Sequence, residues 1–211
     1  MRLSLGIYDV FAYAIPGSLY LALGVYVADR LNWFDVKTLE PTPTLFVATA
    51  IVVTSYLLGH VTTIFGALID RALWFWRPTF EAAREDFFTN VPEAATHPHS
   101  TSHPPILLTA IESQDKEAAQ EINRLRATGL MVRNCITPLL TAAAIATAEA
   151  ITTTDHKALA TTCAATLTAA ALTAFPESRK LRYWAHLKTL ESCFWLPTLQ
   201  PPEQPQPETT P

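Results

Sequence analysis

The chain has 211 residues, 49% of them hydrophobic and only 16% charged, with a formal net charge of −4. Soluble domains carry about 25% charged residues, so this chain is poor in charge for its length. Six glycines against sixteen prolines disfavour a Gly-rich phosphate loop, three cysteines cannot build a disulfide framework, and an acidic balance argues against nucleic acid as a partner.

The missing charges are missing in blocks. Residues 10–28, between Asp9 and Asp29, contain no Asp, Glu, Lys or Arg, and neither do residues 41–69 or 158–176. Residues 134–154 are interrupted only by Glu149. A hydrocarbon core about 30 Å thick needs about 20 mostly apolar helical residues, so each block can span it. A soluble helix that buries one stripe would still show a charged face, and residues 41–69 show none. The expected spans are 10–28, 45–69, 135–154 and 158–176, paired as two hairpins. The first pair is rich in Leu, Ile, Val, Phe and Tyr. The second is mostly Ala and Thr, inserts weakly, and is expected to pack on the first.

In the first span, Asp9 sits where a carboxylate favours the positive end of a helix and can cap it. Pro16 lacks an N–H and frees the carbonyl of Ala12, while Gly17 and Gly24 permit close helix approach. A cleaved signal peptide would place Tyr26 where a small residue is required, so this segment reads as an uncleaved anchor. The second span carries Gly59, His60 and Gly66. His60 has two readings, a packing histidine bonded to a neighbouring helix at Ala12 or Tyr13, or a catalytic or transport group. By helical rise it lies about 22 Å from Leu45.

Residues 71–133 read as a cytoplasmic helical hairpin. After Pro78, Phe80, Ala83, Phe87 and Val91 share one helical face. Residues 92–105 are rich in Pro, Thr, Ser and His and read as a disordered linker. His97, His99 and His103 in that linker would have poorly fixed geometry, so no metal is expected there. A return helix over about 107–132 carries a near-heptad seam of Ile111, Ala118, Ile122, Leu125, Gly129 and Val132, with Asp115 as its one polar member. Such a seam packs on a partner helix, within the chain or in a second copy.

Glu149 in the third span lies about 21 Å from Cys135, which puts it roughly 13 Å from His60 in depth, too far for an acid–base pair. It is expected to face a water-filled crevice or to snorkel outward. Ala165 and Ala169 in the fourth span are expected at close helix contacts. Cys135, Cys163 and Cys193 read as small apolar residues. Residues 177–196 form an amphipathic juxtamembrane helix. Tyr183, Leu187, Leu190 and Phe194 lie on one face, between Trp184 and Trp195, suited to anionic lipid or to docking on the cytoplasmic arm. Residues 197–211, with six prolines, read as a disordered tail.

Lys and Arg number twelve in the N-terminal, 71–133 and 177–196 segments and three (Arg30, Lys37, Lys157) in the other two loops. That asymmetry places both termini in the cytoplasm.

The opening Tyr8-Asp9-Val10-Phe11-Ala12-Tyr13, followed by Ile15-Pro16-Gly17, with Gly59-His60 in the second span and Arg182-Tyr183-Trp184 near the end, resembles a loose group of uncharacterised bacterial membrane proteins beginning Y-D-x-F-x-Y-x-x-P-G. The resemblance is specific over about the first 70 residues and architectural beyond them. It implies a bacterial plasma-membrane location and no particular activity.

The expectation is therefore an all-α chain: transmembrane hairpin 1–70, cytoplasmic arm 71–133, transmembrane hairpin 134–176, interfacial helix 177–196 and tail 197–211. No Ser–His–Asp order, H-E-x-x-H or nucleotide loop occurs, so a non-enzymatic role without cofactor is expected. The expected partners are the bilayer, a second copy through the 111–132 helix and a cytoplasmic protein. The alternative is a small transporter or channel with a polar path through Glu149, His60 and the Thr-rich spans.

Overall fold

The structure is a computed structural model and describes residues 7–33, 43–72, 78–96, 104–152 and 156–195. Every regular element among them is helical: α1 (Ile7–Arg30), α2 (Thr44–Ala72), α3 (Thr79–Asn90), a 3-10 turn (Pro92–Thr96), α4 (Pro104–Gln114), α5 (Lys116–Thr152) and α6 (Lys157–Trp195). Four of these, α1, α2, α5 and α6, are long and apolar enough to cross a membrane. With 37 and 39 residues, α5 and α6 exceed the roughly 20 that a bilayer core needs, so each carries a further polar segment.

The chain divides into two compact units, Met1–Phe75 with Ala127–Arg179, and Trp76–Arg126 with Lys180–Pro211. In the first unit α1 and α2 meet backbone to backbone. A Cβ added to Gly17 would collide with the Ser55 carbonyl, and one added to Gly59 would collide with the Tyr13 carbonyl. Only glycine allows that approach, and close approach is what dispersion forces need where the solvent is lipid. Gly66 has a looser version, since a Cβ there would meet the Asn134 Oδ1 at 2.7 Å. Gly24 has nothing within 4 Å, so it is no contact point. Ala165 and Ala169 are exposed too, and α6 instead buries Ala164, Ala171 and Ser178, a small residue every seventh position.

Prolines lie inside three of the long helices, Pro16 in α1, Pro138 in α5 and Pro176 in α6. Each removes one backbone donor and orphans a carbonyl four residues earlier. For Pro138 that carbonyl belongs to Asn134, and the Thr137 hydroxyl donates to it at 3.5 Å. Because Pro176 does not break α6, residues 177–195 continue the same helix as residues 157–176 and do not start a separate one.

The second unit is built around Phe87, Ala94, Leu107, Ile111, Ala119, Ile122, Leu190 and Cys193. The 3-10 turn lies within the segment expected to be a disordered linker, and it is ordered because Ala94 is buried in that cluster. Residues 97–103, with the three linker histidines, lie outside the described residues, as does the tail 197–211. The expected single helix over 107–132 is divided at Asp115. Its carboxylate accepts from the Glu117 and Ala118 N–H groups at 3.0 Å each, capping α5. Asp115 is thus an exposed cap and not a seam member, and Ala119 replaces Ala118 as the buried position after it. Ile111 and Ile122 are fully buried within the chain, so the seam packs intramolecularly. The C-terminal part of α6 docks on the same cluster through Leu190 and Cys193. It leaves Trp184 and Trp195 exposed.

Candidate functional site

Among the described residues of the first unit, three polar clusters stand out. The first is where α1 and α2 meet. The His60 imidazole stacks on the Tyr13 ring, with centroids 4.1 Å apart and planes 27° from parallel, and the edge of Tyr56 meets it at 4.8 Å. Tyr13 and Tyr56 also touch edge to face at 6.2 Å. Gly17 and Gly59 make this stack possible by bringing the two backbones together, and Pro16 is buried beside them. The structure thus gathers Tyr13, Pro16, Gly17, Gly59 and His60 at one crossing. It does not give His60 the expected bond to the Ala12 carbonyl. Among the described residues its contacts are those two rings, and Ala12 is itself buried. His60 and its neighbours Leu57, Val61 and Ile64 are exposed on α2. Asp9 lies in the first turn of α1, and its side chain is outside the described residues.

The second cluster joins α1 to α5. The Tyr26 hydroxyl donates to Glu149 Oε1 in a short hydrogen bond, and Arg30 reaches the same oxygen through Nε and Nη2, each at 3.1 Å. Glu149 thus has a guanidinium one helix over as its charge partner and a phenol as a second donor. Tyr13 and Tyr26 are separated by about 20 Å along α1 at the helical rise, so His60 and Glu149 belong to different sites.

The third cluster joins α2 to α5. Arg133 Nη1 pairs with Asp70 Oδ2 at 3.1 Å, while Nε and Nη2 donate to Asn134 Oδ1 at 3.2 and 3.1 Å. Asn134 is fully buried against Gly66, and its Nδ2 has no hydrogen-bond partner. Between Arg133 and Glu149 the helical rise is about 24 Å, so α5 is tied to the other helices at two levels nearly a hydrocarbon core apart.

Sequence reasoning did not single out Tyr26, Tyr56, Arg30, Asp70, Arg133 or Asn134 as site residues. The signal for two of them was present. Arg30 ends the first span at the side toward which Glu149 lies in the third, so equal depth already pointed to the pair.

The threonine hydroxyls of the Ala/Thr helices bond back to their own helices. Thr141, Thr147 and Thr152 on α5, and Thr161, Thr162, Thr166, Thr168 and Thr173 on α6, each donate to the carbonyl four residues earlier, at 2.7–3.0 Å. Such back-bonding satisfies the hydroxyl inside its own helix and leaves the methyl facing out. Among the described residues no group of three or more His, Cys, Asp or Glu side chains is placed to hold a metal ion.

No protein-family model, curated protein or solved structure matches the chain.

Proposed function

We propose that the chain is a non-enzymatic integral membrane protein that acts through assembly, with two transmembrane hairpins as its anchor and an arm on the cytoplasmic side that receives a partner. The observation that carries this reading is how the polar groups of the spans are used. Arg30, Glu149, Asp70 and Arg133 tie helices to one another, and the Thr hydroxyls bond their own helices. Among the described residues the charged groups of these helices and most of the Thr hydroxyls of α5 and α6 are engaged in such bonds, which favours assembly over the transporter alternative. The Lys and Arg asymmetry supports cytoplasmic termini, and the resemblance at Tyr8–Gly17 and Gly59-His60 supports a bacterial plasma membrane.

With Ile111 and Ile122 consumed inside the second unit, a partner or second copy would use the exposed face of the arm and not its seam. In its concrete form the protein is a membrane-acting effector that changes permeability once assembled. Inducible expression with a membrane-potential dye, with and without a fused chemical dimeriser, tests this. Depolarisation on forced association is expected, and none after forced association overturns it. Retention of the effect in Glu149→Gln would set the effector apart from a transporter that uses that carboxylate.

A further inference from the structure

Beneath the Tyr26–Arg30–Glu149 bridge lies an apolar cleft of about 240 Å3, lined by Leu19, Ala22 and Leu23 of α1, Pro138, Leu139 and Ala142 of α5, and Leu167 of α6. The cleft and the bridge are one feature. On α1, Leu19, Leu23, Tyr26 and Arg30 follow at intervals of four, three and four residues, which is a single helical face. On α5, Pro138, Ala142 and Glu149 follow at four and seven, again one face. The bridge therefore crosses between the same two helix faces that form the cleft walls, one to two turns farther along. Ala22 and Ala142 are too small to fill the gap that the bridge spans.

We infer that this cleft holds one acyl chain of a membrane phospholipid, whose phosphate is met by Arg30. Three observations support that occupant. The lining is hydrocarbon, and a void of this size, equal to roughly eight water volumes, would offer water no polar partners. Arg30 stands about 16 Å along α1 from Leu19, close to half of a core about 30 Å thick, which is the depth of one leaflet. Finally, the Arg30 side chain is 58% exposed, so its guanidinium is open to the surroundings while Nε and Nη2 hold Glu149. A guanidinium binds phosphate well in that position, since its donors match the oxygens and its charge complements theirs. The inference rests on the membrane location of the four helices and is independent of what the assembled protein does.

The full-length protein would be reconstituted in phosphatidylcholine vesicles holding a minor share of phosphatidylglycerol with a photoactivatable group in its acyl chain, and the labelled peptides mapped. Labelling is expected to concentrate on residues 19–23 and 138–142. Ala142→Trp, which fills the cleft, is expected to reduce labelling there about tenfold while the exposed Leu57, Val61, Ile64 and Leu68 of residues 57–68 keep theirs. Ala22→Leu fills the cleft from the opposite wall and serves if the tryptophan variant does not fold. A diacylglycerol probe, which lacks the phosphate, is expected to label the cleft several-fold less. The proposal is overturned by cleft labelling that survives both filling variants, by labelling no denser than on residues 57–68, or by crosslinks showing the cleft occupied by a second copy of the chain. Equal labelling by the two probes overturns the role of Arg30.

Discussion

A carboxylate within a span keeps its charge only if a partner replaces the water it has lost. For Glu149 the replacement is shared by the Arg30 guanidinium and the Tyr26 hydroxyl, both on α1. Truncating Arg30 leaves the carboxylate without its counter-charge, and truncating Glu149 leaves the guanidinium without its own. Arg30→Ala is therefore expected to lower the thermal midpoint of the protein in detergent. Arg30→Ala with Glu149→Gln should recover most of the loss, because both charges are then gone. Melting of the three proteins at one ionic strength measures this, and additive losses would show that the two side chains do not act as a pair. The pairing was partly legible beforehand, since depth is readable from helical rise. Which of the neighbouring helices would face Glu149 was not legible, because that depends on the rotation of α1 about its own axis.

At the scale of elements, the joint between α1 and α2 depends on two glycines whose missing Cβ atoms are replaced by partner backbone. Gly17→Ala and Gly59→Ala each force the helices apart, with an expected cost of about 1–3 kcal/mol for overpacking. Gly24→Ala meets open space and should instead stabilise by about 0.5–1 kcal/mol through helix propensity. Unfolding in mixed micelles, read out by the Tyr13–Tyr56–His60 stack, distinguishes the three variants, and equal effects at all positions would contradict the close contact. In sequence the glycines look alike. Their difference lies in what stands opposite, which no spacing rule encodes. Asp115 shows the reverse situation. An acidic residue inside an apolar seam was visible as an anomaly, and its physical meaning, a cap that restarts the helix, emerged once the Glu117 and Ala118 donors were located.

At the scale of the whole molecule, the second unit carries a partly buried histidine that makes its stability depend on pH. His186 in the second unit lies edge-on to Phe80 at 5.4 Å, and burial pushes its imidazole down to about 4, with Arg126 and Arg182 adding repulsion. Above the ordinary histidine value of 6.5 it is neutral whether the unit is folded or not. As the pH falls from about 6.5 to 4 the unfolded chain takes up a proton that the folded unit refuses, so stability is lost across that window. Hydrogen exchange between pH 7 and 4.5 is expected to show α3 and α4 opening while α1 and α2 stay protected. His186→Leu should flatten that pH dependence, and an unchanged profile in the variant would assign the acid response to other groups. Burial of Cys193 acts similarly on its thiol, pushed up to about 11, which leaves it protonated and unreactive at neutral pH.

The sequence by itself determined the helical class, the four long apolar helices and the face that α3 buries. Each of these follows from local periodicity and from where charge is absent, and both are properties of a segment alone. Tertiary structure alone decided that α6 runs unbroken past Pro176, that the arm closes its seam inside the chain, and that α5 is pinned to α1 by Glu149 and to α2 by Arg133. Those outcomes depend on which side chains of different segments meet at the same depth and rotation. That meeting is settled by packing between helices and not by the pattern along any one of them.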